Sequence, residues 1–162
     1  MTGIAHENSN FDKVVLAVRG LVTLGPALDP AQFKAPANVR LEAFIPHSAV
    51  LPHAQAMVTQ CGLGTLMKAL AHGVPLVCLP LVGDQPDNAA RVVARGAGIR
   101  LERDATPEQI RAAIQRVLTQ PGFGESARRI AGKLAKEDGA QRAAEEIEAV
   151  VRQRVGTSDE QM

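Results

Sequence analysis

Three short clusters carry side chains that could grip an anion and a polyhydroxyl ligand. The first is Thr59-Gln60-Cys61-Gly62-Leu63-Gly64-Thr65, which follows a short apolar run and opens a helical pattern. Its glycines would let the backbone approach a ligand closely. The free N–H groups and dipole of a helix start favour an anion such as a phosphate, and Thr65 can add a hydroxyl donor. An ordinary strand-to-helix turn that needs glycine for tightness explains the same residues. The spacing is neither a Walker A loop nor G-x-G-x-x-G.

The second cluster, Pro80 to Asn88, sets Asp84 beside Gln85 after another apolar run. A carboxylate accepts two hydroxyl hydrogen bonds while an amide both donates and accepts, a pair suited to sugar hydroxyls. Asp84 reads as a ligand-binding group and Asp87 as the N-cap of the next helix. The third is Phe44-Ile45-Pro46-His47. Phe44 is either a platform for a nucleobase, with the backbone after Pro46 meeting the base edge, or a core residue, the commoner fate of a single Phe.

The elements that must position these clusters are legible. Between Leu41 and Gly83 the only formal charges are Glu42 and Lys68, so this stretch is expected to be the buried centre. Within it Val39–Ala43, Met57–Thr59 and Leu76–Leu79 are too short for helices and read as strands buried on both faces. Val22–Leu24 and Ile99–Leu101 are weaker strand candidates. Helical patterns over 63–71 and 87–95 each stop at glycine. Thr106-Pro107-Glu108-Gln109 has the form of an N-cap followed by proline and opens a helix to about Leu118. Helices over 123–136 and 140–154 follow, with Val155–Met162 expected to fray and Asn10–Arg19 to be helical. Strands alternating with helices predict an α/β, Rossmann-like three-layer αβα domain with a parallel sheet. Ligands of such sheets bind beyond the carboxyl ends of the strands, where all three clusters fall.

Composition narrows the function. The 162 residues carry 18 Lys and Arg against 17 Asp and Glu, a net charge of +1, which offers no electrostatic reason to bind nucleic acid or an anionic membrane. Four Phe with no Trp or Tyr leave little on which to stack single strands. No apolar run approaches the ~20 residues that cross a bilayer, and no signal peptide is evident. Cys61 and Cys78 form neither a disulfide framework nor a zinc motif, so a reducing, cytoplasmic setting is expected.

Taken together, the stretch FIPHSAVLPHAQAMVTQCGLGTLMKALAHGVPLVCLPLVGDQPDNAARVVARGAGIRL resembles the nucleotide-sugar-binding half of family 1, GT-B-fold glycosyltransferases. It is most similar to the bacterial macrolide and natural-product enzymes related to UDP-glycosyltransferases. The signature runs from Phe44 to Gln85, and a looser similarity from about Val22 to Val150. The resemblance implies that Phe44 stacks on the base and that Ile45, Pro46 and His47 meet its edge. Gln60, Gly62, Leu63, Gly64 and Thr65 would hold the diphosphate, Asp84 and Gln85 the sugar hydroxyls, and Asn88 would support their loop. No metal or other cofactor is implied, the nucleoside-diphosphate sugar being the donor substrate.

Two residues depart from the family pattern. Gln60 stands where relatives usually have a His that contacts the diphosphate, and a neutral amide stabilises departing charge less well. Lys68 stands where many relatives hold the ribose with a Glu. The family's catalytic base belongs to an amino-terminal acceptor domain. None of His6, His47, His53 and His72 matches it; His53 and His72 read as structural, and no base is assigned.

The resemblance thus implies the donor-binding portion of an inverting hexosyltransferase that uses UDP- or dTDP-sugars. The alternative is a catalytically silent nucleotide-sugar-binding or partner-binding module. Expected divisions are 1–20, an N-terminal segment with part of a helix; 21–138, the donor-binding Rossmann-like domain; and 139–162, a C-terminal helix and tail. Expected partners are the nucleotide sugar and either a separate acceptor-domain chain or a second copy of this one.

Overall fold

The structure is a computed structural model that describes residues 18–137 and 139–158. The helix expected over 10–19 lies almost entirely outside them. There are five strands among the described residues, β1 (Gly20–Thr23), β2 (Val39–Glu42), β3 (Met57–Thr59), β4 (Leu76–Cys78) and β5 (Gly98–Arg100); a single 3-10 turn, Pro30–Gln32, lies between β1 and β2, and from β2 onward strands alternate with α-helices. The helices are α1 (His47–Val50), α2 (Leu63–Ala71), α3 (Gln85–Ala94), α4 (Pro107–Thr119), α5 (Pro121–Leu134) and α6 (Gly139–Ser158). Every strand pair is parallel, as the βαβ pattern requires.

Among the described residues the strands form two sheets, β1-β2 and β3-β4-β5, rather than the one expected. Hydrophobic runs locate strands but say little about which strands pair. Burial follows the pairing. Leu76, Val77 and Cys78 of β4, flanked on both sides, are fully buried, and each large aliphatic side chain so buried contributes about 1.5–3 kcal/mol. The expectation that β2 and β3 are also buried on both faces is wrong. Val58 is exposed, Thr59 buried and Met57 intermediate, while no residue of β2 is fully buried, because each lies at an edge of its sheet. Val77 packs against Ala113 and Val117 of α4, joined by Ile99, Leu101 and Phe123. Strand alternation turns Leu76 and Cys78 to the other face.

Local signals explain the helix limits. α2 spans Leu63–Ala71 and is closed by His72 and by Gly73 at φ +69°. α4 opens on a complete capping box. Thr106 Oγ1 accepts from Gln109 N at 3.3 Å, and Gln109 Oε1 accepts from Thr106 N at 2.7 Å. The helix that follows β4 starts at Gln85, so its N-cap is Asp84 and not Asp87, which lies in the first turn. Pro86 fits there because first-turn N–H groups have no partner within the helix.

The chain divides into two compact units between Ala131 and Gly132, within the last turn of α5. The second unit consists mainly of α6, which continues to Ser158, beyond the expected end at Arg154. On it Ile147, Val150 and Val151 are exposed.

Candidate functional site

Because β3 and β4 are parallel and pair Thr59 with Cys78, the segments that follow them leave the same sheet edge side by side. The turn after β3 is built by its backbone. Cys61 sits at φ +67°, a left-handed conformation uncommon outside glycine. Thr59 Oγ1 accepts from the Cys61 N–H at 3.2 Å. Gly62 is the N-cap of α2 and supplies no side-chain cap, so first-turn N–H groups remain for an outside acceptor.

The glycines of this turn are not there for tightness. Gly62 has φ −59° and Gly64 is helical, and a Cβ on either would meet nothing within 4 Å. The left-handed residue is Cys61, whose thiol is buried against Cys78. Hydrogen bonding from Cys78 holds the Cys61 thiol below its ordinary pKa, against the opposing effect of burial. The same bond, reinforced by burial and by repulsion from Cys61, pushes Cys78 well above the ordinary range.

The loop after β4 is built by side chains instead. Gly83 turns the chain at φ +63°. Gln85 Oε1 accepts from the N–H groups of Leu81 at 2.8 Å and Val82 at 3.1 Å, so half of this amide shapes the loop. Asp84 Oδ2 accepts from Asn88 Nδ2 at 2.9 Å, and the same nitrogen donates to the Cys61 carbonyl at 3.1 Å. One side-chain nitrogen therefore joins the two clusters, 27 residues apart in sequence. Arg91 completes the set by donating to Asn88 Oδ1 at 3.2 Å.

Phe44 follows β2 and is 74% exposed, which excludes the core alternative. Ile45, Pro46 and His47 lead from it into α1, which packs against α2. Gln60 and Lys68 are exposed. His53 lies in a single 3-10 turn and His72 caps the end of α2. Sequence reasoning found the turn, the acid–amide pair and Asn88 as a support. It named Thr59 and Cys61 within the turn but missed the bond between them and the left-handed backbone of Cys61, and it missed Arg91; the i, i+3 spacing of Asn88 and Arg91 on a helix is the one local signal that could have suggested the last. Among the described residues no group of three or more His, Cys, Asp and Glu could hold a metal ion, and no helix is long and apolar enough to cross a membrane.

An all-parallel α/β chain of this kind matches the carboxyl-terminal part of the GT-B glycosyltransferases. Its sequence shows which branch. Residues 12–150 match the erythromycin biosynthesis protein CIII-like C-terminal domain, and the chain belongs to that family. It is 45% identical over 117 residues to 4'-demethylrebeccamycin synthase of Lentzea aerocolonigenes, covering 72% of this chain and 28% of the relative. It is 34% identical to UDP-glucosyltransferase B1 of Starmerella bombicola, over 84% of this chain and 31% of that one. Among solved structures, the calicheamicin glycosyltransferase CalG4 superposes with a TM-score of 0.74 at 34% identity, over 82% of this chain and 35% of the other. The glycosyltransferase VinC in complex with dTDP gives 0.70 at 30% identity, over 76% and 32%. The chain thus spans about a third of the length of these named glycosyltransferases.

Proposed function

We propose that this chain is the donor-binding portion of a glycosyltransferase that moves a hexosyl group from a nucleoside-diphosphate sugar to an acceptor hydroxyl with inversion. One observation carries the reading: Gly62 and Gly64 are required neither by backbone conformation nor by any neighbouring atom. What they leave room for lies outside the chain, at a helix start suited to a diphosphate. Gln60, Leu63 and Thr65 complete that subsite. Asp84 and the free half of the Gln85 amide face the sugar hydroxyls, with Asn88 behind them. Phe44 stacks on the base, and Ile45, Pro46 and His47 present backbone to its edge.

The functional unit in this reading is 21–138, preceded by the 1–20 segment and followed by the 139–162 helix and tail. The acceptor pocket and the base that deprotonates the acceptor come from an acceptor domain, in the same polypeptide or on a partner. Two buried free thiols suit a reducing compartment, and we place the protein in the cytoplasm. A second reading, a binding module without transfer, is favoured by Gln60, which cannot become cationic as the diphosphate departs.

Calorimetric titration with UDP, dTDP and their glucose conjugates tests the assignment. Asp84→Ala is expected to weaken the sugar conjugates by about 1.5–3 kcal/mol, the worth of a hydrogen bond to a charged group, and the bare diphosphates by much less. Equal loss for both removes Asp84 from the sugar subsite. Assays with broad acceptors are expected to give no transfer by this chain alone, because general-base assistance worth typically 10²–10⁴-fold is missing. Robust turnover without an acceptor domain would sink the donor-half reading.

A further inference from the structure

Asn88 is 2% exposed and none of its polar atoms is idle. Both Nδ2 hydrogens are used, one on the Cys61 carbonyl and one on Asp84 Oδ2, while Oδ1 accepts from Arg91. These partners fix the sense of the amide, since a flip would set its oxygen against two acceptors and its NH2 against a guanidinium. Arg91 therefore keeps the donating end of Asn88 aimed at the two ligand segments.

The bond to Cys61 matters through the geometry of the peptide. In a planar trans peptide the C=O and the following N–H point in opposite directions. Asn88 draws the Cys61 carbonyl towards α3, so the Gly62 N–H is aimed the other way, into the space before α2. Cys61 adopts a left-handed backbone that side-chain-bearing residues seldom hold unaided. Thr59 secures its N–H and Asn88 its carbonyl.

We propose that Asn88, oriented by Arg91, is a positioning residue that sets the Gly62 N–H for the diphosphate and the Asp84 carboxylate for the sugar. The two subsites are then tied to one buried amide and move together. This rests on the donor-binding reading and deepens it, because it makes one residue that touches no ligand a determinant of affinity for both halves of the donor.

The test measures three variants against UDP and UDP-glucose, with dTDP and dTDP-glucose in parallel, alongside ligand-free amide NMR spectra. Asn88→Ala is expected to lower affinity for the diphosphates and the sugar conjugates alike, about tenfold or more, and to displace the Gly62 amide resonance before any ligand is added. Val92→Ala, a cavity mutation in the buried face of the same helix, is expected to lower Tm while leaving affinities within about twofold. Arg91→Met keeps Asn88 but frees its amide, and is expected to weaken both ligand types by a smaller factor. It decides the matter should Asn88→Ala fail to fold. Wild-type affinity in folded Asn88→Ala, or a loss in Val92→Ala as large as in Asn88→Ala, overturns the proposal and leaves the donor-binding reading standing. If Asn88→Ala does not fold, unchanged affinity in Arg91→Met overturns it. A wild-type chain that binds none of the four ligands removes both.

Discussion

Gly20 and Gly98 occupy matching places in the two sheets. Each opens a parallel strand, Gly20 opposite Val39 and Gly98 opposite Leu76. A Cβ on Gly20 would meet a methyl of Val39 at 3.2 Å, a contact that a small adjustment relieves. A Cβ on Gly98 would run into the backbone carbonyl of Leu76 and lie 2.9 Å from a methyl of Val92. Neither obstacle can move without shifting β4 or α3. At this matching position the three-stranded sheet is thus closed to even one added methyl group, while the two-stranded sheet has slack. The Gly62–Thr65 turn and the Asp84–Asn88 segment hang from the tight region, and Phe44 hangs from the slack one. On the proposed reading, the phosphate and sugar ends of the donor are held by a rigid frame and the base end by a more yielding one.

The largest effect expected from this contrast is on stability. Gly98→Ala should cost about 3 kcal/mol or more, the upper end of overpacking penalties, whereas Gly20→Ala should change stability by less than about 1 kcal/mol, since alanine also restricts the unfolded chain. Urea unfolding of both variants measures the difference, and equal losses would erase the distinction between the sheets. Next in size, Phe44→Ala should leave stability within about 0.5 kcal/mol, as for other exposed positions. It should weaken nucleotide binding by about 1–3 kcal/mol, the worth of base stacking on an aromatic ring. A lower Tm with unchanged affinity would return Phe44 to a packing role. The smallest signal is an absence of reaction. Cys61 and Cys78 are both 0% exposed within the tight region, so iodoacetamide at pH 8 should leave both unmodified in the native chain and modify both in urea. Rapid native labelling of Cys61 would show that the turn opens far more readily than its packing indicates.

How much of this was legible in the sequence depended on the range of the forces involved. α2 begins and ends where Gly62 and His72-Gly73 said it should, and α4 opens at Thr106, because capping and glycine signals act within a few residues. The strands were found as apolar runs, each within a residue or two of its observed limits. The division into two sheets was not foreseen, because strand pairing is settled by contacts far apart in the chain. Asp87 was taken for the N-cap because the acid-rich segment offered two candidates, and only the backbone shows that the helix already includes Pro86. At the site, residue types marked the turn and the acid–amide pair. Nothing in spacing alone could reveal that Asn88 reaches the Cys61 carbonyl, or that the left-handed residue of a turn with two glycines would be a cysteine.

The amide of Gln85 divides its work between two atoms. Its oxygen gathers the Leu81 and Val82 N–H groups, and its nitrogen takes no part in those bonds. A glutamate here would accept the same two bonds, more strongly for its charge, and would keep the loop's shape while presenting an acceptor where glutamine presents a donor. A lysine or leucine would leave both N–H groups without their acceptor. The position therefore suits an acid better than a base or an aliphatic residue, and on the proposed reading a single Gln-to-Glu exchange would change which hydroxyl pattern the loop prefers while keeping its two backbone bonds.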